Sequence, residues 1–153
     1  MDGVNPKVIV ILAGTNDVGR EPGDAASVTD ITAGMKALIA LCRRKAGSAT
    51  IILTAIFPRN DNPEAMPAIN RVNETLARLA DGRTVRFLNV NDRLADKDGV
   101  LFPGMMGDHL HPTVNGYQVW ADGLKPLLAD LLGPPAKTDH APPPTGDPST
   151  QSK

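Results

Sequence analysis

Three apolar runs alternate with amphipathic stretches along the chain, an order typical of a parallel α/β fold. The apolar runs have the length of buried strands and comprise residues 8–13, 50–57 and 84–90. The amphipathic stretches carry apolar residues at helical spacing and comprise residues 27–45, 67–80 and 112–132. This order predicts one parallel sheet of three strands with helices on both faces.

Signals at the helix ends refine these bounds. Ser27 is expected to cap the first helix, with Asp30 as its acidic partner. Pro112 is expected at or near the first turn of the last helix, where a missing N–H costs nothing. Pro126 lies inside that helix and is expected to kink or divide it.

The first apolar run is unsuited to the edge of a sheet. Val8 to Ala13 are six consecutive apolar residues, whereas edge strands are usually short, bulged or charged. We therefore expect another strand to cover its open side, and the pattern points to strands upstream of this chain. A chain without such cover could self-associate through this strand.

Composition indicates one globular domain and a tail. The chain has 153 residues, of which 41% are hydrophobic and only 3% aromatic, so the core must be mainly aliphatic. We expect a domain over residues 1–132 and a disordered, proline-rich tail over residues 133–153. The single Cys42 excludes an internal disulfide and is expected to be a buried thiol.

Charge and hydropathy exclude some functions. The net charge is −1 and no basic block occurs, which argues against nucleic acid as a partner. No apolar stretch reaches the length of a membrane span. The first residues are polar and show no signal peptide, although this has no bearing on secretion if the true start lies upstream.

Two short motifs carry the candidate chemistry. Residues 14–17 read Gly-Thr-Asn-Asp at the end of the first strand, and residues 108–112 read Asp-His-Leu-His-Pro before the last helix. Together they resemble the third and fifth sequence blocks of the SGNH (GDSL) hydrolases. Residues 57–59, Phe-Pro-Arg, and 70–73, Asn-Arg-Val-Asn, are similar to the branch that contains platelet-activating-factor acetylhydrolase catalytic subunits.

The resemblance implies a flavodoxin-like α/β/α sandwich with strand order 2-1-3-4-5, truncated here to the third, fourth and fifth strands. It also implies a nucleophilic serine in a Gly-Asp-Ser segment upstream, and a glycine N–H that helps to bind the oxyanion. None of the serines of this chain, Ser27, Ser48, Ser149 and Ser152, has that context. We therefore expect the chain alone to lack serine esterase activity.

The resemblance assigns roles to four residues in the hydrolysis of a small acyl ester, without metal or organic cofactor. Asn16 would donate to the oxyanion, His111 would act as general base and acid, and Asp108 would orient His111. Asp108 would also offset the positive helix end, which disfavours a cationic imidazole. Gly14 would allow the backbone to approach the substrate closely.

Local alternatives remain open for these residues. Asn16 could merely cap a turn, and Asp108 with His111 could form a structural helix cap. A metal bound by His109, His111 and Asp108 would instead favour phosphoester hydrolysis. Other flanking residues are expected to be structural, with Asp17 ordering its loop and with Tyr117 and Trp120 as core or partly buried anchors of the last helix and not as platforms for substrate.

A non-catalytic interpretation also stays open. The chain could be a truncated remnant, or a module whose partner supplies the strands that complete the sheet. The compartment and the oligomeric state do not follow from the sequence.

Overall fold

One parallel sheet forms the centre of the structure, a computed structural model that describes residues 5–20, 25–135 and 137–138. Its strands are β1 (Val8–Ile11), β2 (Thr50–Thr54) and β3 (Val85–Leu88). They lie in the order β1-β2-β3, with Val8 opposite Thr50 and Ile51 opposite Val85. The predicted three-stranded parallel α/β fold is confirmed.

The strands are shorter and β1 is less buried than the apolar runs predict. β2 ends at Thr54, although residues 55–59 continue as buried, irregular chain. In β1 only Ile11 is buried, and Val10 is 38% exposed. The prediction that this strand is buried on both faces is wrong for the part of the chain described, because Val10 and Ile11 point to opposite faces and only Ile11 is buried.

Four α-helices accompany the sheet in the described residues. They are α1 (Thr15–Arg20), α2 (Ala25–Lys45), α3 (Met66–Leu79) and α4 (Val114–Leu132). Short 3₁₀ helices span Pro63–Ala65 and Asn91–Arg93. Helix α1 was not predicted. Ser27 lies within the first turn of α2 and does not precede the helix, so its predicted capping role is wrong.

Helix α4 begins later than predicted. Thr113 is its N-cap, and the Thr113 hydroxyl accepts hydrogen bonds from the backbone N–H groups of Asn115 and Gly116. Pro112 directly precedes the cap and so lies near the first turn, as predicted. Pro126 does not divide α4, which continues to Leu132.

Two apolar clusters cover the two faces of the sheet and make a three-layer arrangement. One packs α2 and α3 against β1–β3 through residues that include Met35, Cys42, Ile51, Leu53, Ile69, Val72 and Leu76. The other packs α4 against the opposite face through Phe57, Leu88, Val90, Leu94 and Trp120. The Cys42 thiol is buried, as predicted. None of the helices in the described ranges is long and apolar enough to cross a lipid bilayer.

The proposed domain division falls partly beyond this description. Helix α4 ends at Leu132, where the predicted domain ends. Of the predicted tail, residue 136 and residues 139–153 lie outside the described residues.

Candidate active site

Asn16 and His111 line the same cavity, of about 250 Å³. Asn16 follows β1 and is the second residue of α1, whereas His111 lies just before the N-cap of α4. Phe57 and Pro58, which follow β2, also line the cavity. The cavity thus opens at the carboxyl ends of neighbouring parallel strands, where ligands commonly bind in α/β sheets.

The turn after β1 fixes the backbone around Asn16. The carbonyl of Gly14 accepts hydrogen bonds from the N–H groups of Asp17 and Val18, both at 3.1 Å. Val18 is fully buried and anchors α1 in the core. The side chain of Asn16 remains exposed beside the cavity, where its amide N–H can donate to a substrate oxygen.

Asp108 holds His111 through both ring and backbone. Its Oδ2 lies 2.8 Å from Nδ1 of His111, and its Oδ1 accepts from the N–H groups of His111 at 2.7 Å and Leu110 at 3.1 Å. The backbone N–H and then the imidazole of His111 hold the pKa of Asp108 well below its usual range. This arrangement favours a proton on Nδ1 and leaves Nε2 of the exposed ring as the nitrogen that can accept one.

The segment that carries His111 is closed on itself. The N–H of Gly107 donates to the carbonyl of His111 at 3.0 Å, and Met106 forms an isolated bridge with Pro112. The N-cap of α4 is Thr113, not Asp108. The alternative in which Asp108 and His111 form a helix cap therefore fails, because the carboxylate serves the turn that precedes the helix.

Aromatic side chains form one wall of the cavity. Phe57 and Trp120 pack edge to face with ring centroids 5.6 Å apart, and Tyr117 lies 6.3 Å from Trp120. Trp120 Nε1 donates to Oγ1 of Thr54 in β2 at 3.3 Å. Trp120 does anchor α4, as expected. Tyr117 is not a core residue, because it is 44% exposed and borders the cavity.

Gly14 lies beside a different cavity. It lines a space of about 470 Å³ together with Asp17, Ser27 and Asp30, and it is not among the residues around Asn16 and His111. Its φ of 106° favours glycine, and a Cβ there would lie 2.8 Å from Cδ1 of Ile56. The geometry gives Gly14 a conformational reason to be glycine, and a contact with substrate stays a prediction.

The region of the proposed metal cluster has a different geometry from a chelating site. His109 adopts a left-handed conformation with φ 65°, and its side chain is exposed. Within residues 5–20, 25–135 and 137–138, no group of three His, Cys, Asp or Glu side chains could hold a metal ion.

Sequence reasoning missed Asn73 as a determinant of the loop after β2. Its side chain accepts from the N–H of Ile56 at 2.7 Å and donates to the carbonyl of Ile56 at 2.9 Å. Asn73 is buried on the face of α3 that also carries Ile69 and Leu76. A polar residue on this apolar face was the available signal, because buried amides need partners.

Known proteins share this sequence pattern. The model of the GDSL-like Lipase/Acylhydrolase family matches residues 1–119. The chain belongs to this family. It is 29% identical over 134 residues to the human platelet-activating factor acetylhydrolase IB subunit alpha1, a match that covers 86% of this chain and 55% of that subunit. A match of 28% to the chicken subunit alpha2 covers 86% and 56%, respectively. The chain thus spans about half the length of these relatives.

Solved structures of GDSL-type proteins share the fold. A Streptococcus pneumoniae protein described as a platelet activating factor superposes with a TM-score of 0.66 at 30% identity, covering 80% of this chain and 59% of that one. A GDSL-like lipase from Bacteroides thetaiotaomicron gives a TM-score of 0.64 at 26% identity, covering 83% and 64%.

Proposed function

We propose that this chain supplies the oxyanion donor and the acid–base pair of an SGNH-type hydrolase of small acyl esters. The observation that carries the proposal is the cavity lined by both Asn16 and His111, with Asp108 hydrogen-bonded behind the imidazole. Family membership supports hydrolysis of acyl esters as the reaction class. The nucleophilic serine would come from a segment other than residues 1–153.

Each side chain has a defined task in this reaction. Nε2 of His111 takes the proton of the serine hydroxyl while the serine oxygen bonds to the acyl carbon. The carbonyl oxygen becomes an oxyanion, to which the Asn16 amide donates, an interaction worth about 3 kcal/mol. The alcohol then leaves with the proton from His111. In the second half, water attacks the acyl carbon and gives a proton to His111, and His111 returns that proton to the serine oxygen as the acyl–serine bond breaks and the acid is released.

The size and lining of the cavity support a small acyl group such as acetyl. Its volume is about 250 Å³, below the ~300–1,000 Å³ that is usual for sites of drug-sized ligands. Leu12, Phe57 and Trp120 supply apolar lining beside Asn16 and His111. Such a lining favours a short hydrocarbon.

The positions of the serines support the need for an outside nucleophile. Ser27 lines the cavity beside Gly14, which is distinct from that of His111. Ser48 is exposed in the turn before β2. Ser149 and Ser152 lie outside the described residues.

Hydrolysis of p-nitrophenyl acetate by the chain alone tests this part of the proposal. We expect no serine-dependent hydrolysis: a serine-directed fluorophosphonate should neither lower the turnover nor label the chain. The imidazole of His111 could by itself hydrolyse the ester slowly. Comparison of His111→Gln with His109→Gln, a matched change of a nearby exposed histidine, distinguishes this slow reaction from serine-dependent turnover. Robust turnover that the fluorophosphonate removes would contradict the proposal.

A binding role through β1 is the second candidate. Val10 is exposed, and in the described part of the chain β1 pairs with β2 only. Open strand edges pair readily with other strands, either from a partner or from a second copy. Self-association through β1 would therefore accompany the hydrolase role whenever the rest of the sheet is not supplied.

A further inference from the structure

We propose that Arg59 and Asn60 are positioning residues that together set the separation between Asn16 and His111. These two consecutive residues of the loop after β2 contact different segments: Arg59 bonds to Thr15, and Asn60 bonds to His109. The inference takes from the proposed function only the assignment of Asn16 and His111 as the reacting groups.

Arg59 holds the Asn16 side. Its Nη1 donates to the carbonyl of Thr15, the residue before Asn16, at 2.7 Å. Its Nε and Nη2 donate to the two carboxylate oxygens of Asp61 at 2.7 Å and 2.5 Å. This two-pronged pair orients the planar guanidinium and lowers the pKa of Asp61. The Arg59 side chain is only 8% exposed, so its orientation is fixed by packing as well.

Helix α1 is shaped to receive this guanidinium. A Cβ on Gly19 would lie 2.6 Å from Nη1 of Arg59, so the glycine permits the close approach. Asn62 strengthens the same contact, because its Nδ2 donates to the carbonyl of Gly19 at 3.3 Å. Both ends of α1 are therefore tied to the loop that carries Arg59.

Asn60 holds the His111 side. Its backbone N–H donates to the carbonyl of His109 at 2.9 Å. Its side chain accepts from the N–H of Leu101 at 2.8 Å and donates to the carbonyl of Gly99 at 2.9 Å. His109 has φ 65°, a conformation that a residue with a side chain keeps only when its surroundings hold it. The hydrogen bond from Asn60 is one such restraint, two residues before His111.

The residues that make these two sets of hydrogen bonds, Arg59 and Asn60, are joined by one peptide bond. Neighbouring Cα atoms are about 3.8 Å apart, so the Arg59 and Asn60 contacts cannot move independently. Phe57 and Pro58, just before them, are buried, and the loop has a fixed base. A shift of the backbone at Arg59 would therefore change both the contact with Thr15 and the contact with His109.

Nuclear magnetic resonance of the isotopically labelled full chain tests this inference without any need for turnover. Arg59→Lys keeps the charge but replaces the planar fork with a point charge that cannot bond Thr15 and Asp61 in the same way. We expect shifts in the side-chain amide signals of Asn16 and in the backbone signals of His109 and His111. Arg93→Lys is the matched control, because Arg93 is an exposed arginine that pairs with Asp122 at 4.0 Å.

Gly19→Ala provides a second variant that keeps every bonding group. Alanine favours a helix more than glycine does, so a local effect alone would raise the melting temperature. The close approach to Arg59 predicts instead a lower melting temperature and shifts at the same Asn16 and His111 signals. Amide signals of Val72 and Leu76 in α3 should stay in place and report an intact core.

Two results would overturn the inference. One is an Asn16 signal that does not move in Arg59→Lys or Gly19→Ala beyond its change in Arg93→Lys. The other is movement of Asn16 without movement at His109 and His111, which would show that the two sides are not coupled. Neither result depends on ester hydrolysis, so failure of the proposed reaction and failure of this positioning are distinguishable.

Discussion

Oδ1 of Asp108 accepts the backbone N–H of His111 at 2.7 Å while Oδ2 of the same carboxylate lies 2.8 Å from Nδ1 of the His111 ring. One carboxylate therefore fixes both the turn and the ring orientation of His111. The side chains are 40% and 75% exposed, respectively, so solvent screens the charge and the geometric restraint is the larger effect.

Asp108→Asn should lower the free energy of unfolding near neutral pH. It should also make that free energy less sensitive to acid than in the wild type. The folded-state pKa of Asp108 lies below its unfolded value of about 3.9. Its contribution is thus present above about pH 4 and is lost as pH falls through the folded pKa. Thermal unfolding near neutral pH and at about pH 3 measures this. Asp98→Asn, on the exposed loop before Gly99, is the control. Equal acid sensitivity in wild type and Asp108→Asn would contradict the prediction.

Gly14→Ala should destabilise the fold by about 1–3 kcal/mol. Alanine at position 14 would have to adopt a φ of 106°, and its Cβ would lie 2.8 Å from Cδ1 of Ile56. Gly34→Ala is the matched control, because a Cβ at that position of α2 would meet nothing within 4 Å. It should stabilise the helix by up to ~1 kcal/mol. Urea unfolding compares the two, and similar effects of both changes would refute this account of Gly14.

The sequence allowed the sheet to be predicted because its information is local. The apolar runs around Val8 and Ile51 identify strands from neighbouring residues alone. Helix α1 was missed since its six residues are too few to show a period. The exposure of Val10 was missed because it depends on what packs over that face of the sheet, not on the strand's own composition.

In the candidate site, too, local motifs could be predicted from the sequence, whereas contacts between distant segments could not. The motifs at Asn16 and His111 identified the candidate groups, and their catalytic roles stay predictions. The positions of Tyr117 and Arg59 depend on how α4 and the loop after β2 fold back on the cavity. Tyr117 and Trp120 share an i, i+3 face of α4, a pattern that core packing would also produce.

Asn73→Ala should destabilise the chain by about 1–3 kcal/mol, because it leaves the buried N–H of Ile56 without its acceptor. The loop after β2 would loosen with it. Denaturant unfolding gives the free energy, and hydrogen exchange at the Ile56 amide reports the local effect. Asn115→Ala, at an exposed position of α4, should cost far less, and an equal cost would contradict this role for Asn73.

Val10→Lys should reduce self-association of the chain. Val10 is 38% exposed in β1, and a lysine on a strand edge opposes pairing with another strand. Size-exclusion chromatography with light scattering over a range of concentrations measures the change. Val100→Lys, which replaces a valine that is 56% exposed in a loop, is the control. A wild-type chain that stays monomeric at every concentration would contradict association through β1.

The most direct test of the account is to restore the nucleophile and measure ester hydrolysis. A strand-and-helix segment that carries a Gly-Asp-Ser serine, taken from an active hydrolase of the same family, would be fused before Val8, and the fusion would be assayed with p-nitrophenyl acetate. We predict turnover that a fluorophosphonate abolishes, that falls by about 10²–10³-fold in Asn16→Ala, and that falls by at least ~10³-fold in His111→Gln. His109→Gln should retain it. A folded fusion whose turnover survives loss of either Asn16 or His111 would contradict the claim that these two side chains form one ester-hydrolysing site.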